Sequence, residues 1–217
     1  MNFIILADKY IKGMKSKGGT GLVKVNSRFN LFETQHKIIT KNFKNPKIVY
    51  VYGFDGKKIS HFFDQRKYSN VIPIYNENYE KYNNTYSLSL AQKYIEKDFF
   101  ILFGYSIFKK QIFENFNKSN SQIFLNNKTK NHIGCIVDNE NVNHICFDIN
   151  NYIMDIYYIS KADAPLMKEL CTTPRYKNYF IFELLNKMVD MGVCIKPTTK
   201  NYKNINIKIS KDKETIK

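Results

Sequence analysis

The sequence predicts a single α/β domain built on a mixed central sheet, and three observations carry that reading. Short, strongly apolar runs at Asn2–Ala7, Lys47–Tyr52 and Phe99–Phe103 have the character of strands buried on both faces. Each is followed by a loop and then by helical spacing, the order of a largely parallel sheet. From residue 122 onward strand-like segments joined by Asn-rich turns replace that alternation, so the sheet becomes mixed. The length of 217 residues fits one domain, 1–217, with a charged tail over 209–217.

Taken in order, Asn2–Ala7 is the first strand. Residues 8–21 form a loop rich in glycine (Gly13, Gly18, Gly19, Gly21) and lysine, and Leu22–Val25 is a short strand or a turn. Leu31, Phe32, Ile38, Ile39 and Phe43 recur at helical spacing, with Pro46 ending the element. Lys47–Tyr52 is a second strand closed by Gly53, Phe54–Gln65 a short helix and Asn70–Tyr75 a third strand. Thr85 is placed to cap a helix through Ser87, Leu88 and Ala91. The fourth strand, Phe99–Phe103, ends at Gly104, and 107–117 has helical spacing. Lys161–Leu170 and Tyr176–Met191 are amphipathic helices, the second stopped by Gly192. Val193–Pro197 and Asn204–Ile209 are late strands.

Composition narrows the function classes. With 43% hydrophobic and 24% charged residues, collagen-like, disulfide-scaffold and wholly disordered chains are excluded. No apolar run approaches the roughly eighteen residues of a membrane span. Met1–Asp8 lacks a basic leader and a cleavage site, so it reads as a strand and not as a signal peptide. Cys135, Cys146, Cys171 and Cys194 are widely spaced with no CxxC pair, which suits free thiols in a reducing, cytoplasmic setting. His132 and His144 lie near the first two without a metal-ligand spacing.

The formal net charge is +15 and the pI about 9.5. Such a balance favours polyanionic partners: a nucleotide or other phosphorylated ligand, nucleic acid, or an acidic assembly partner. Lys9, Lys12, Lys15, Lys17 and Lys24 crowd the segment after the first strand, and a second group closes the chain. They form either solvated faces of a Lys- and Asn-rich chain or a phosphate-binding patch over residues 9–24. No helix-turn-helix, zinc-finger or RNP motif is present, so nucleic acid rests on charge alone. The Lys, Asn and Ile bias suits an AT-rich genome; if that genome is viral, the compartment is host cytoplasm or virion.

Ligands of open α/β sheets sit at the carboxyl ends of the strands. That rule gathers the loop after Ala7, the turn after Tyr52 and the turn after Phe103 on one face.

The segment from Tyr75 to Gln92, with Asn83-Asn84-Thr85-Tyr86-Ser87-Leu88 at its centre, closely resembles a stretch of choline-phosphate cytidylyltransferases, members of the sugar-phosphate nucleotidyltransferases. The order of the other motifs is similar: Ile4-Ile5-Leu6-Ala7, Glu33-Thr34-Gln35, Val49-Tyr50-Val51-Tyr52-Gly53-Phe54, and Met154 through Ser160 with Ala162-Asp163. The resemblance covers nearly the whole chain and implies a Rossmann-like, GT-A-type fold. It implies attack by a substrate phosphate on the α-phosphorus of an NTP, with release of pyrophosphate. It also implies Mg²⁺ held by two aspartates.

In the register of the family, the first loop is altered. Lys9 and Ile11 stand where two glycines belong, Gly13 where an arginine belongs, and Thr20 near the place of the catalytic lysine. Tyr105 occupies the first metal-aspartate position and Asn206 the second. A neutral phenol and a carboxamide do not supply the anionic oxygens that Mg²⁺ prefers. The expectation is therefore a catalytically degenerate, nucleotidyltransferase-like protein with a binding or structural role, needing no cofactor. The alternative is an active transferase that uses Mg²⁺ at a relocated site, with Asp8 or Asp155 on the cation and Lys15 or Lys17 on the triphosphate. Candidate nucleotide-binding residues are Ala7, Asp8, Lys12, Lys15, Lys17, Gly53, Asn84 and Ser87; no catalytic residue is assigned. Asp8 and Asp155 are each either turn-formers or cleft acids, and Asn83, Asn84 and Ser87 are equally placed to cap a helix.

Overall fold

A computed structural model describes residues 1–114, 116–126 and 132–200, and the backbone of 205–206. Strand β1 (Asn2–Ala7) leads through a loop with two 3₁₀ turns into helix α1 (Leu31–Asn42). The start of α1 is fixed by a reciprocal cap: Asn30 Oδ1 accepts from Glu33 N at 2.8 Å, and Glu33 Oε2 accepts from Asn30 N at 2.9 Å. Strand β2 (Lys47–Tyr52), helix α2 (Gly56–Arg66) and strand β3 (Val71–Tyr75) follow, then α3 (Asn84–Leu90) and β4 (Phe99–Phe103).

The second half contains β5 (Ser106–Ile107), β6 (Gln122–Leu125), β7 (Ile133–Asp138), β8 (Asn141–Phe147), β9 (Ile153–Ile159), α4 (Ala164–Thr172), α5 (Ile181–Asp190), β10 (Lys196–Thr199) and β11 (Ile205–Asn206). Seven strands form one mixed sheet in the order β10-β6-β9-β4-β1-β2-β3. The β4-β1-β2-β3 half is parallel, and β9 runs antiparallel to both β4 and β6. Pro73 lies in edge strand β3, where a missing N–H is tolerated.

Strand alternation explains the layering. Ile4, Leu6, Val49, Val51 and Ile101 face α3, α4 and α5, while Phe3, Ile5, Ile48, Tyr50 and Phe100 face α1 and α2. Both faces of the sheet are thus covered, as the continuous apolar runs require. The α1/α2 face is the more aromatic; Phe3 and Phe100 stack there at 5.3 Å. Among the described residues no helix is long and apolar enough to cross a membrane.

Several sequence expectations are corrected. Residues 107–117 do not form an α-helix: the segment is β5 followed by a 3₁₀ turn at Lys110–Phe113, which buries Phe108, Ile112 and Phe113 under the aromatic face. Of the two readings of Leu22–Val25, strand or turn, the turn is what forms: Thr20–Leu22 is a 3₁₀ turn and Lys24 makes an isolated bridge to Asn30. Helix α3 is not capped by Thr85, which lies inside it; Asn83 is the cap residue, with its side chain turned to Asn178. Tyr176 belongs to a 3₁₀ turn, and α5 begins only at Ile181. Its stop is as read: Gly192 has φ 88°, and Val193 N closes on Met188 O at 3.0 Å. The proposed tail 209–217 lies outside the described residues.

Candidate functional site

Strands β2 and β3 lie on one side of β1 and β4 on the other, so the chain order reverses between β1 and β4. A crevice at such a switch point is the expected ligand site. A cleft of about 360 Å³ opens there, lined by Ala7 and Asp8 from the end of β1, Phe103 from the end of β4, Lys9 and Lys12 from the first loop, and Asn84 from the start of α3. Tyr105, Asp155 and Tyr157 complete its floor, and Phe180–Phe182 its far wall.

Asp8 is buried at 3% exposure. Its Oδ2 accepts from Ser87 Oγ at 2.9 Å and from Asn76 Nδ2 at 3.2 Å. Burial raises the carboxyl above its usual pKa, and the bond from Ser87 is the largest influence in the opposite direction. Ser87 is wholly buried on α3 and serves Asp8; it does not line the cleft. Asn76, at the end of β3, is equally buried and ties the two together. It was not singled out in the sequence, although the strand-end rule that flags Asp8 applies to it as well.

Asp155 sits in the middle of β9 yet has φ 56°, a left-handed backbone that non-glycine residues seldom adopt. Its neighbours Met154 and Ile156 face the α1/α2 side and Ile153 and Tyr157 the other, in the stretch where pairing with β6 shifts register. The bulge turns its carboxylate into the cleft, where Tyr105 Oη donates to Asp155 Oδ2 at 3.4 Å. Desolvation first, and the adjacent Asp155 second, push the phenols of Tyr105 and Tyr157 well above their usual range, so both stay neutral.

Tyr105 is held by its turn. Gln35 on α1, buried at 1% exposure, donates through Nε2 to the carbonyls of Phe103 at 2.8 Å and Ser106 at 2.7 Å. The backbone of Asn206 in β11 pairs opposite Ser106, so the chain segments of Tyr105 and Asn206 meet beside the cleft.

The remaining candidates divide. Lys12 is exposed at the cleft, together with Lys9. Lys15 instead lies over the rings of Tyr10 and Phe54, 5.4 and 5.8 Å from their centroids, and Lys17 occupies a 3₁₀ turn; neither lines the cleft. Gly53 is covered by Tyr79, whose Cβ lies 2.5 Å from where a Cβ on Gly53 would stand. Asn84 lines the cleft but spends its Oδ1 on Ile181 N at 3.0 Å, and Asn83 donates to Asn178 O at 2.8 Å. The two asparagines fasten α3 to the segment that supplies the Phe180–Phe182 wall. Thr20 Oγ1 donates to the Lys9 carbonyl and helps fix the first loop.

Mg²⁺ takes hard, charged oxygen ligands. Among the described residues no three His, Cys, Asp or Glu side chains gather as a metal site. The cleft's two acids are each engaged by donors, and Asp8 is biased by burial toward its protonated form.

No family model matches the chain, and no curated protein matches it in sequence. Solved structures match over their full length. The CTP:phosphocholine cytidylyltransferase LicC from Streptococcus pneumoniae superposes with a TM-score of 0.75 at 14% identity, covering 99% of this chain and 96% of that one. The inositol-1-phosphate CTP transferase from T. maritima gives 0.74 at 21% identity, with 99% and 94% covered. A nucleoside-diphosphate-sugar pyrophosphorylase from Vibrio cholerae RC9 gives 0.75 at 10% identity, with 100% and 99% covered. At these identities the likeness is one of fold: the described residues share the mixed α/β fold of these nucleotidyltransferase structures.

Proposed function

We propose that this protein binds a nucleotide or a related phosphorylated ligand in the switch-point cleft and does not perform two-aspartate, Mg²⁺-dependent nucleotidyl transfer. The observation that carries the reading is the pair Tyr105–Asp155: where a bare carboxylate would meet the cation, a neutral phenol donates to the cleft's own acid. Lys9 and Lys12 supply the positive charge that an anionic ligand needs. Without a cation, charge developing on departing pyrophosphate meets only those lysines. A deficit of several kcal/mol follows, at about 1.4 kcal/mol per factor of ten in rate.

The second reading, an active transferase with a relocated metal, is favoured by one fact: Asp8 and Asp155 line the same cleft.

A pyrophosphate-release assay across the common NTPs, with phosphocholine and sugar 1-phosphates as acceptors and Mg²⁺ present, separates the two. Calorimetry of CTP binding in EDTA runs beside it. The expected result is binding that survives EDTA, weakens about tenfold in Lys12→Ala, and is accompanied by no turnover. Mg²⁺-dependent turnover lost in Asp8→Asn or Asp155→Asn would establish the second reading. Absence of both binding and turnover would overturn both.

A further inference from the structure

We propose that the ligand of the switch-point cleft is a phosphate monoester of a short hydrocarbon alcohol, with its apolar group against the wall formed by Ile133, Phe180, Ile181 and Phe182. This rests on the reading of the cleft as a site for a phosphorylated ligand. Among the described residues six large apolar side chains are exposed, and three of them gather here. Tyr10 and Phe180, 41% and 39% exposed, line the cleft. Phe147, 51% exposed, packs on Phe180 and Phe182 at 6.4 and 5.3 Å between ring centroids. Exposed apolar side chains scattered singly need no explanation, but a cluster that continues a cleft marks a binding surface.

The wall is fixed in place by its own contacts. Phe180 and Phe182 stack at 5.7 Å with their planes 8° apart. Ile133 of β7 lies directly opposite Phe147 of β8, so both side chains stand on one face of the hairpin. Asn186 on α5 grips that hairpin: its Oδ1 accepts from Ile145 N and its Nδ2 donates to Ile145 O, both at 2.8 Å. Phe182 lies one turn before Asn186 on α5, and Phe147 follows Ile145 by two residues on β8. One asparagine therefore holds the two halves of the wall together, which spares a ligand the cost of ordering them.

Chemistry selects the occupant. The four wall side chains carry no hydrogen-bonding group, and the amides beside them, Asn83 and Asn84, already bridge to Asn178 and Ile181. A sugar set against this wall would leave hydroxyls unpaired away from water, a cost that a hydrocarbon does not carry. A quaternary ammonium needs open ring faces converging on it, whereas Phe180 and Phe182 each turn one face to the other. Lys9 and Lys12 border the same cleft from the first loop, so positive charge and an apolar wall together match an amphiphilic phosphate. At about 360 Å³ the cleft is at the small end of ligand sites, which limits the alcohol to a short chain.

The test is calorimetry of butyl, hexyl and octyl phosphate below their micelle-forming concentrations, with CTP, glucose 1-phosphate and phosphocholine alongside. Burial is worth about fourfold per methylene, so octyl phosphate should bind on the order of a hundredfold more tightly than butyl phosphate. Phe180→Gln should weaken octyl phosphate about tenfold and leave butyl phosphate within about twofold. Ile133→Thr, on the other element of the wall, should act in the same direction and serves if Phe180→Gln misfolds; thermal melts verify each variant. Ile136→Gln, an exposed apolar position of the same hairpin outside the cleft, should leave every affinity unchanged. If CTP or glucose 1-phosphate binds but affinity does not rise with chain length, this inference falls and the phosphate site stands. If no phosphorylated compound binds, both fall. Equal loss of octyl phosphate in Ile136→Gln would reduce the effect to non-specific adsorption and overturn the proposal. So would phosphocholine bound as tightly as octyl phosphate and weakened by Phe180→Gln, because the wall would then select a cation.

Discussion

Asp8 and Asp155 border one cleft but reach it by opposite routes. Asp8 is the residue after a parallel strand, where the backbone leaves the sheet without strain, and two neighbouring elements donate to it. Asp155 interrupts an antiparallel strand, and its backbone must adopt a left-handed conformation to aim the side chain inward. One carboxylate is stabilised by hydrogen-bond donors from α3 and the end of β3. The other is held by a bulge that the rest of β9 must sustain. The comparison teaches that a site acid can rest on side-chain chemistry or on backbone geometry, and the two respond differently to substitution.

The backbone route should be the more fragile. Asp155→Val places a β-branched side chain at φ 56°, which costs about 1–3 kcal/mol, and withdraws an acceptor from Tyr105. Together these amount to about 2–5 kcal/mol, a fall in Tm of roughly 5–15 °C for a chain of this size. Asp155→Gly, which tolerates the same backbone, should lose no more than half of that. Calorimetric melts of the pair decide the matter: equal destabilisation by Val and Gly would mean that the backbone conformation carries no cost.

Asp8 answers to its donors and to pH. Asp8→Ala leaves the buried Ser87 hydroxyl without its acceptor, at about 1–3 kcal/mol, whereas Asp8→Asn keeps an acceptor and should cost less. The pH dependence separates them further. Burial raises the native carboxyl above its ordinary value, so the native state keeps a proton that the unfolded chain has already released. Stability therefore falls as pH climbs from about 4, the unfolded carboxylate range, until the native group has ionised. Asp8→Asn has no such proton to lose, and its stability should be flatter across that window. Parallel stability–pH curves for the wild type and Asp8→Asn would refute the assignment.

The same contrast explains what the sequence could reveal. The parallel half was readable because burial on both faces leaves uninterrupted apolar runs, and the strand-end rule then located Ala7, Asp8 and Phe103 at the cleft. The resemblance of the Asn83–Leu88 stretch pointed to the right fold, but its residues hold the protein together more than they present groups to a ligand: Ser87 serves Asp8, and Asn84 spends its oxygen on Ile181. Position 155 could be named as a candidate but not placed, because a left-handed residue inside a strand leaves no periodic mark. Gly53 looked open for the opposite reason: nothing local announces that Tyr79, far along the chain, lies on top of it. Residues 107–117 misled because Phe108, Ile112 and Phe113 mimic helical spacing while packing from a strand end and a 3₁₀ turn. Such failures share a cause, in that tertiary contact decides them and local pattern does not.

The smallest expected effect tests the link between the turn after β4 and the bulge in β9. At 3.4 Å the Tyr105–Asp155 bond is long, so its direct share of stability is small, and Tyr105→Phe should shift Tm by no more than about 2–4 °C, equivalent to about 1 kcal/mol. The phenyl ring keeps its packing against Phe103, whose centroid lies 5.3 Å away, and Gln35 still fixes the turn through Phe103 and Ser106. What changes is the acid: with the phenol gone, Asp155 has one fewer donor and greater freedom to meet a cation. Titrating Mg²⁺ into Tyr105→Phe and wild type, and following protection against thermal unfolding, reads this directly. Stabilisation by millimolar Mg²⁺ in the variant and none in the wild type would show that the phenol is what denies the metal its carboxylate. If neither responds, the phenol is not the sole barrier, and the protonation bias on Asp8 is the remaining one. If the wild type responds as strongly as the variant, the Tyr105–Asp155 contact does not exclude the cation, and the relocated-metal reading gains the ground that the binding-only reading loses.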